Sequence, residues 1–596
     1  MSIADAIPGP MLTWNPGGFN RQRAGACTPA RRLTPRRSID HSSVSVNPQP
    51  SAQGAGTARI AIDIRRYPGI RRLAGDYAYA FETLASFYEG DPASPGAWQA
   101  AIERARAHPR DREAVASVIA AQQQRRGAPP ESRAALEQFR QDGAVAVVTG
   151  QQAGAFGGPL YTLLKAVTAI RLAARVRQDH RTPAVAVFWV DSEDHDWEEV
   201  ASCTVLDADA RARTVHLPAP PGAGTVSVGT LPLQDGVAAT LDALAEALPQ
   251  TEFTASLLTR LRTSYRPGVS TSEAFGRWLE FTLGDFGLIV YDAADPAAKA
   301  PAREVFVREV QFRGRTAELA LGAGEALTRR GYHAQVSAHA DGLALFSLAG
   351  GRHPIRFADG AFHAGDKTWT QPELLAEVRG NPAAFSPNVL LRPIVQDTLF
   401  PTVAYVAGPN ELAYLGQLKP VYGHFGVPMP LMIPRVSATL LDAGGVRFLV
   451  KHGVALETLH AQDESVLNRM LEAALPAEVE QAYQAAEAAI GGPMQALVQA
   501  VPAIDPTLEG AARSVAGKIS HELQGLHTKI IHAAKRRDET LRRQFMRTRA
   551  QAFPDGHAQE RAIGFVSFLN RYGPGLVDHL VRDLPLDPGS HWIVTV

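Results

Sequence analysis

Three short stretches of the chain are apolar without alternation: "AVAVVTG" (144–150), "PAVAVFWV" (183–190) and "FGLIVYD" (286–292), the last ending on a carboxylate. Runs of this length with no polar face predict strands buried on both sides, as in a parallel sheet covered by helices. The segment joining the first two agrees: after a glycine-rich break, residues 159–177 carry apolar groups at helical spacing. Upstream, 58–140 is helical in pattern. "LAGDYAYAFETLASFYEG" (73–90) places apolar and aromatic positions at helical intervals, and "DPASPGAW" (91–98) supplies a turn and a fresh helix start.

Other patterns interrupt this α/β alternation. "CTVLDADARARTVHLPAP" and "GAGTVSVGTLPL" read as hairpin or edge material. "HAQVSAHADGLALFSLAGGRHPIRFADGAFHAG" (333–365) alternates between turn signals and predicts a small antiparallel meander. Strand-like "VLLRPIV", "TVAYVAG" and "PMPLMIPR" within 389–435 return the chain to the sheet. Beyond 450, Val479, Tyr483, Ala486, Ile490, Met494 and Leu497 recur in steps of four and three, as do Ile519, Leu523, Leu526, Ile530 and Ala533. Two such segments around "VPAIDPTLEG" predict an antiparallel helical hairpin, with two helices packed on the body as the alternative. The expected organisation is an α/β core over 58–450, a helical coiled-coil hairpin over 451–553, and a C-terminal helix and strand over 554–596 packing back on the core.

Bulk composition narrows the partners. The 596 residues are 45% hydrophobic and 20% charged, and 60 Lys+Arg balance 60 Asp+Glu. No global field therefore draws the chain to nucleic acid or to an anionic membrane, and no apolar run is long enough to span a bilayer. Two cysteines, Cys27 and Cys203, make no disulfide framework and fit a reducing, cytoplasmic setting. Residues 1–57 are Arg- and Ser-rich with two acids, Asp5 and Asp40. They read as a disordered basic tail, although organellar transit peptides share that composition.

Three stretches carry chemistry. In "VVTGQQAGAFGGPLYT" the glycines at 150, 154, 157 and 158 match neither a P-loop nor a G-x-G-x-x-G fingerprint. A strand end, a glycine-rich backbone and a helix start nevertheless offer free N–H groups to an anion, with Gln151, Gln152 and Lys165 nearby. Tight strand–helix packing explains the loop equally well. The second stretch, "FWVDSEDHDWEEV" (188–200), sets Asp191, Glu193, Asp194, His195 and Asp196 at a strand's carboxyl end, where open α/β sheets bind ligands. Such a cluster can bind Mg²⁺, orient an amine, or run acid–base chemistry through His195. Helix capping by Ser192 or Asp194, with Glu198 and Glu199 in the first turn, accounts for only part of it. The third stretch, 388–422, sets Asn388, Arg392, Gln396, Asp397, Gly408, Asn410 and Glu411 among apolar segments. Arg392 suits a planar carboxylate or phosphate, and an Arg392–Asp397 pair is the structural alternative. His353 and Cys203 are weaker candidates.

Taken together, these stretches resemble one family, BshC, the cysteine ligase of bacillithiol biosynthesis. "VVTGQQAGAFGGPLYTLLKAVTAI", "VFWVDSEDHDWEEV", "NVLLRPIVQDTLFPTVAYVAGPNELAYLGQLKPVY" and "MPLMIPR" carry the resemblance, extended by "KRRDETLRRQF", "FPDGHAQER", "FLNRYGPGLVDHL" and "HWIVTV". It runs collinearly over roughly residues 58–596. Where the family tends to read "GEDHD", this chain has Ser192 in place of the glycine. The resemblance implies a Rossmann-like parallel-sheet core related to class I nucleotidyltransferases, with inserted connecting segments, and a coiled-coil domain that forms a homodimer. It implies addition of L-cysteine, through its carboxyl group, to the amine of glucosaminyl-malate. Activation of that carboxyl group points to ATP, with Mg²⁺, as the cofactor, and no residue is assigned to a bound metal. The resemblance locates the site more than it assigns roles, and the chemistry of the residues there makes Glu193, Asp194, His195 and Asp196 the expected catalytic group. The implied binding group is Gly150, Gln151, Gln152, Gly154, Gly157, Gly158, Tyr161 and Asp191 together with the polar residues of the third stretch. The rivals are a nucleotidyltransferase-like enzyme activating another amino acid, and a non-catalytic nucleotide-binding scaffold dimer that would not need the 193–196 cluster.

Overall fold

The computed structural model describes residues 59–596 apart from 337, 338, 340, 474 and 538; the basic tail and Cys27 lie outside the described residues. Five strands build the central sheet: β1 (Val145–Gln151), β2 (Ala184–Val190), β3 (Leu288–Asp292), β4 (Thr402–Ala407) and β5 (Leu431–Pro434). Their order is β5-β4-β1-β2-β3 and every pair is parallel. This Rossmann order reverses direction between β1 and β4, and a crevice opens at the carboxyl end of such a switch point.

The three unalternating runs are strands because both of their faces are covered. Val145, Val147, Ala186 and Phe188 pack into one hydrophobic layer with Leu163, Leu164 and Val167 of the helix Leu160–His180. Ala146, Val148, Val185 and Val187 pack into the opposite layer with Ile119, Leu136 and Phe139 from the helices Arg112–Arg126 and Pro130–Arg140.

The meander forms as a five-stranded antiparallel sheet. Its strands Gly342–Ser347, His353–Ala358 and Ala361–Ala364 are extended by Lys367–Trp369 and by Phe385–Pro387. The hairpin expected near 203–220 is Ser202–Leu206 paired with Ala212–His216. "VLLRPIV" is not a strand. Asn388 Oδ1 accepts from the amides of Leu390 and Leu391, and a helix runs over Arg392–Leu399 with Pro393 in its first turn. That helix is buried nearly all round, and an apolar run alone does not separate a buried helix from a buried strand.

A third sheet aligns the last strand, Ser590–Thr595, between Arg59–Asp63 and Ser437–Leu441. The two hairpin helices are Ala477–Ala500 and Leu508–Arg537, and Glu539–Ala552 packs back through Leu541 and Phe545. The seam departs from the expected one in three places. Val498 and His527 are half-buried whereas Leu497 and Leu526 are 52% and 53% exposed, and Ala533 is exposed whereas Ile531 and Ala534 pack inward. The half-buried positions keep the four-three alternation over 479, 483, 486, 490 and over 512, 516, 519, 523, and a step of four replaces the expected three at 498 and 527. The heptad is thus kept over much of each arm and shifted locally. Among the described residues no helix is long and apolar enough to cross a membrane.

Candidate active site

At the switch point Lys165 reaches from the helix after β1 and is almost wholly buried. Its ammonium donates to Gly150 O at 2.8 Å, Gln151 Oε1 at 3.0 Å and Glu411 Oε1 at 2.5 Å. Burial pushes the Lys165 ammonium below its ordinary pKa, and the Glu411 charge opposes that shift. Burial would raise Glu411, but Lys165 outweighs it and holds the carboxylate low. Gly408 makes this fold-back possible, because a Cβ there would sit 2.9 Å from Glu411 Oε1.

Arg392 lies beside this pair, beneath the strand ends. Its terminal nitrogens donate to Gln396 Oε1 (3.0 Å) and to the Tyr405 and Tyr414 hydroxyls (3.4 Å each). Its buried Nε has no hydrogen-bond partner and lies 3.8 Å from Asp191 Oδ2. The direct Arg392–Asp397 pair does not form. Gln396 stands between them, donating to Asp397 Oδ1 at 2.9 Å, and Tyr422 donates to the other oxygen. Burial raises the Asp397 carboxyl to about 6.

The acidic run does not act as one cluster; four different partners divide it. Asp191 faces Arg392, and burial raises its carboxyl against the pull of that charge. Glu193 is buried in an ion pair with Lys299, from the turn of 3-10 helix after β3. Asp194 Oδ1 accepts the His195 amide at 2.7 Å and lies 3.2 Å from His195 Nδ1. Asp196, rather than Ser192 or Asp194, caps the short helix Trp197–Val200 by accepting from the Glu199 amide at 3.1 Å. The carboxylates diverge, and among the described residues no group of three or more His, Cys, Asp or Glu side chains is placed to hold a metal ion. Ser192 donates to Asp292 Oδ1 at 2.6 Å, a bond that a glycine could not make.

The glycine-rich loop answers to packing. Gly157 has φ +99°, and a Cβ there would lie 2.3 Å from the Phe565 ring and 2.7 Å from Trp278 Nε1. The Leu160 amide at the helix start donates to Ile563 O, and the Phe565 amide donates to Gly158 O. Gly157 and Gly158 therefore seat the C-terminal segment, while the amides of Gly154, Gly157 and Gly158 donate within the loop, to Gln152 O, Gly154 O and Ala155 O. Gln151 and Gln152 do face the crevice. Gln151 Nε2 donates to the Tyr161 hydroxyl (3.2 Å), and Gln152 Nε2 to Glu199 Oε2 (2.5 Å) and Asp194 Oδ2 (3.4 Å). The Arg435 and Arg561 guanidiniums lie 5.6 and 5.8 Å from the Tyr161 ring centre, and burial pushes its hydroxyl up to about 12. Asn388 is a turn-forming cap, whereas Asn410 Oδ1 is buried without a partner.

Sequence reasoning missed Arg352 and Lys299. Arg352, on the meander turn, brings Nη1 to 3.3 Å from His195 Nδ1 and 3.7 Å from Asp194 Oδ1. Its neighbour His353, singled out from sequence, instead packs on Gly351 and Gly365 of its own hairpin. Cys203 is buried, with its thiol pushed up to about 12 by burial.

Fold and site define a Rossmann-like α/β protein with a guanidinium-, carboxylate- and imidazole-lined crevice at its switch point. The chain belongs to the BshC family. Residues 60–436 match "Bacillithiol biosynthesis BshC, N-terminal Rossmann-like domain", and 438–596 match "Bacillithiol biosynthesis BshC, C-terminal coiled-coil domain". Similar relatives carry the name "Putative cysteine ligase BshC". The one from Salinibacter ruber is 36% identical, over 87% of this chain and 95% of its own. That from Koribacter versatilis is 33% identical over 87% and 96%, and that from Chlorobaculum tepidum 32% over 79% and 86%.

Proposed function

We propose that this protein is a carbon–nitrogen ligase that joins the carboxyl group of L-cysteine to the glucosamine amine of glucosaminyl-malate, giving bacillithiol. The observation that carries the reading is the convergence of His195, Asp194, Arg352 and Arg392 at the switch-point crevice, within a chain whose relatives are named cysteine ligases. An amine attacks only in its neutral form, and His195, held by Asp194, is the group that takes the ammonium proton. Arg392, with Nε unpaired, is suited to anchor a substrate carboxylate. Asp191 lies where it can steer the ammonium. Activation of the cysteine carboxyl group is the chemistry that ATP, with Mg²⁺, would supply. Because the Gly154, Gly157 and Gly158 amides are used within the loop and the Leu160 amide by Ile563, the loop does not fit the phosphates, and no step is routed through them. The coiled-coil hairpin is proposed to form the homodimer.

Incubation with cysteine, glucosaminyl-malate and ATP, followed by mass analysis, tests this. A product heavier by one cysteinyl residue is expected, and His195→Ala should abolish it with the fold intact. Absence of any ligated thiol, with or without ATP, overturns the reading. Product without ATP overturns only the activation step.

A further inference from the structure

His195 Nδ1 is claimed from two sides. Arg352 Nη1 stands 3.3 Å away and Asp194 Oδ1 3.2 Å away. A guanidinium can only donate and a carboxylate can only accept, so one ring nitrogen cannot satisfy both. The surrounding contacts decide the balance. Asp194 already accepts the His195 amide at 2.7 Å and the Gln152 side-chain amide at 3.4 Å. Arg352 Nη1 has no other hydrogen bond among the described residues, and its buried Nε has none. With the ring proton on Nε2, Arg352 donates to Nδ1 and every one of these groups but Nε is paired. With the proton on Nδ1, an N–H faces Nη1 and a second buried donor is left unpaired, which disfavours that tautomer.

We propose that Arg352 is a positioning residue that holds His195 as its Nε2–H tautomer until a substrate carboxylate takes the guanidinium. In that tautomer Nε2, which has no partner among the described residues, carries the proton and cannot accept one. Arg352 is fixed for the task. Its side chain is 8% exposed and lies 3.7 Å over the Phe346 ring, and its own amide donates to Thr225 O at 2.8 Å. Its unpaired Nε–H is the waiting donor for a carboxylate. When that anion binds Nε–H and a terminal N–H, the claim on Nδ1 lapses and the bond to Asp194 prevails. One proton leaves Nε2 for water and one arrives on Nδ1, so the ring stays neutral and Nε2 gains a lone pair. The base then exists only with the carboxylate-bearing substrate in place. This step rests on the ligase reading only for the identity of the ammonium that gives up its proton.

The tautomer can be read from nitrogen-15 spectra of deuterated full-length protein carrying labelled histidine rings, with His195 assigned by its loss in His195→Gln. The expected result is Nε2–H in the free protein and Nδ1–H with glucosaminyl-malate or, as a simpler probe, L-malate. Arg352→Gln should show Nδ1–H without ligand. It should also raise KM for glucosaminyl-malate at least tenfold, about what one charge-assisted hydrogen bond supplies, and leave KM for cysteine unchanged. Nδ1–H in the free wild-type protein, or a tautomer that neither ligand changes, overturns the proposal. So does an unchanged tautomer in Arg352→Gln, because a purely structural arginine would leave the ring as it was. The wild-type spectra decide even if that variant fails to fold. They need no turnover, so failure of the ligase reading is separable from failure of this one.

Discussion

Removing Lys299 separates the structural use of the acidic run from its chemical use. Glu193 and Lys299 are 4% and 5% exposed at their side chains and bond to each other. Burial raises the Glu193 carboxyl and Lys299 pulls it back. In Lys299→Met the methylene stem is kept but the charge is gone, leaving Glu193 buried and uncompensated. Loss of one partner of a buried pair costs about 3–5 kcal/mol. The thermal transition should therefore fall by several degrees. The fall should be larger at pH 8 than at pH 5, since a protonated Glu193 is cheaper to bury than a charged one. Glu193→Gln combined with Lys299→Met should recover most of the loss, because a neutral pair removes both desolvation terms. Thermal unfolding followed by circular dichroism gives the stability, and thiol formation gives the activity. A single variant as stable as the parent refutes the energetic reasoning. A double variant that regains its transition but makes no product refutes the structural assignment and returns Glu193 to the catalytic group.

Gly157→Ala should destabilise by about 3 kcal/mol or more, through the clash with Phe565 and the positive φ; a normally folded variant with only a raised KM would restore the loop as a ligand cradle. Acid unfolding should begin early. His591, stacked on Tyr67 and bonded to Ser437 and Thr439, is pushed by burial to about 3, and Glu560, held by Arg435, lies at about 2. Below the ordinary values of 6.5 and 4.5 the unfolded chain binds protons that the native one refuses, so stability is full above about pH 6.5 and falls steadily toward pH 2. His591→Gln should flatten the upper part of that slope in a pH series of melts, and an unchanged slope would clear the histidine. Replacing 477–537 by a short Gly/Ser linker, while sparing the core-packed 539–552 helix, should give a monomer by light scattering; a surviving dimer contradicts association through the hairpin.

Local pattern made most of the fold legible. Strands buried on both faces, the meander and the hairpin each follow from a period or its absence over a few residues. "VLLRPIV" failed because a helix buried all round has the same apolar reading as a buried strand, and Pro393 in its first turn was the signal left unweighed. The hairpin seam follows the four-three pattern over most of both arms and slips at Leu497, Leu526 and Ala533, where the half-buried neighbours are 498, 527 and 534. The helix misread as a strand is an error of period, whereas the seam is an error of phase near the arm ends.

The site was legible in a different sense. "DSEDHD" had to sit at a strand's carboxyl end, and a strand end at a switch point faces a crevice, so the location followed from β2 alone. What each acid does there depends on a partner far along the chain: Ser192 on Asp292, 100 residues away, Glu193 on Lys299, 106 away, and His195 on Arg352, 157 away. Those partners arrive on β3, on the turn after it and on the meander, and nothing in the run itself chooses among them. The glycine loop shows the same limit from the other side. Its φ values and missing Cβ atoms suit a bound phosphate or a close-packed chain equally, and only Phe565, delivered from the C-terminal segment, makes it the second. Arg352 was overlooked beside a histidine that had been noticed, since a turn arginine on a hairpin carries no local mark of what lies across the crevice. The order of the sheet therefore locates the chemistry, while the insertions between its strands decide which of the strand-end groups is free to perform it.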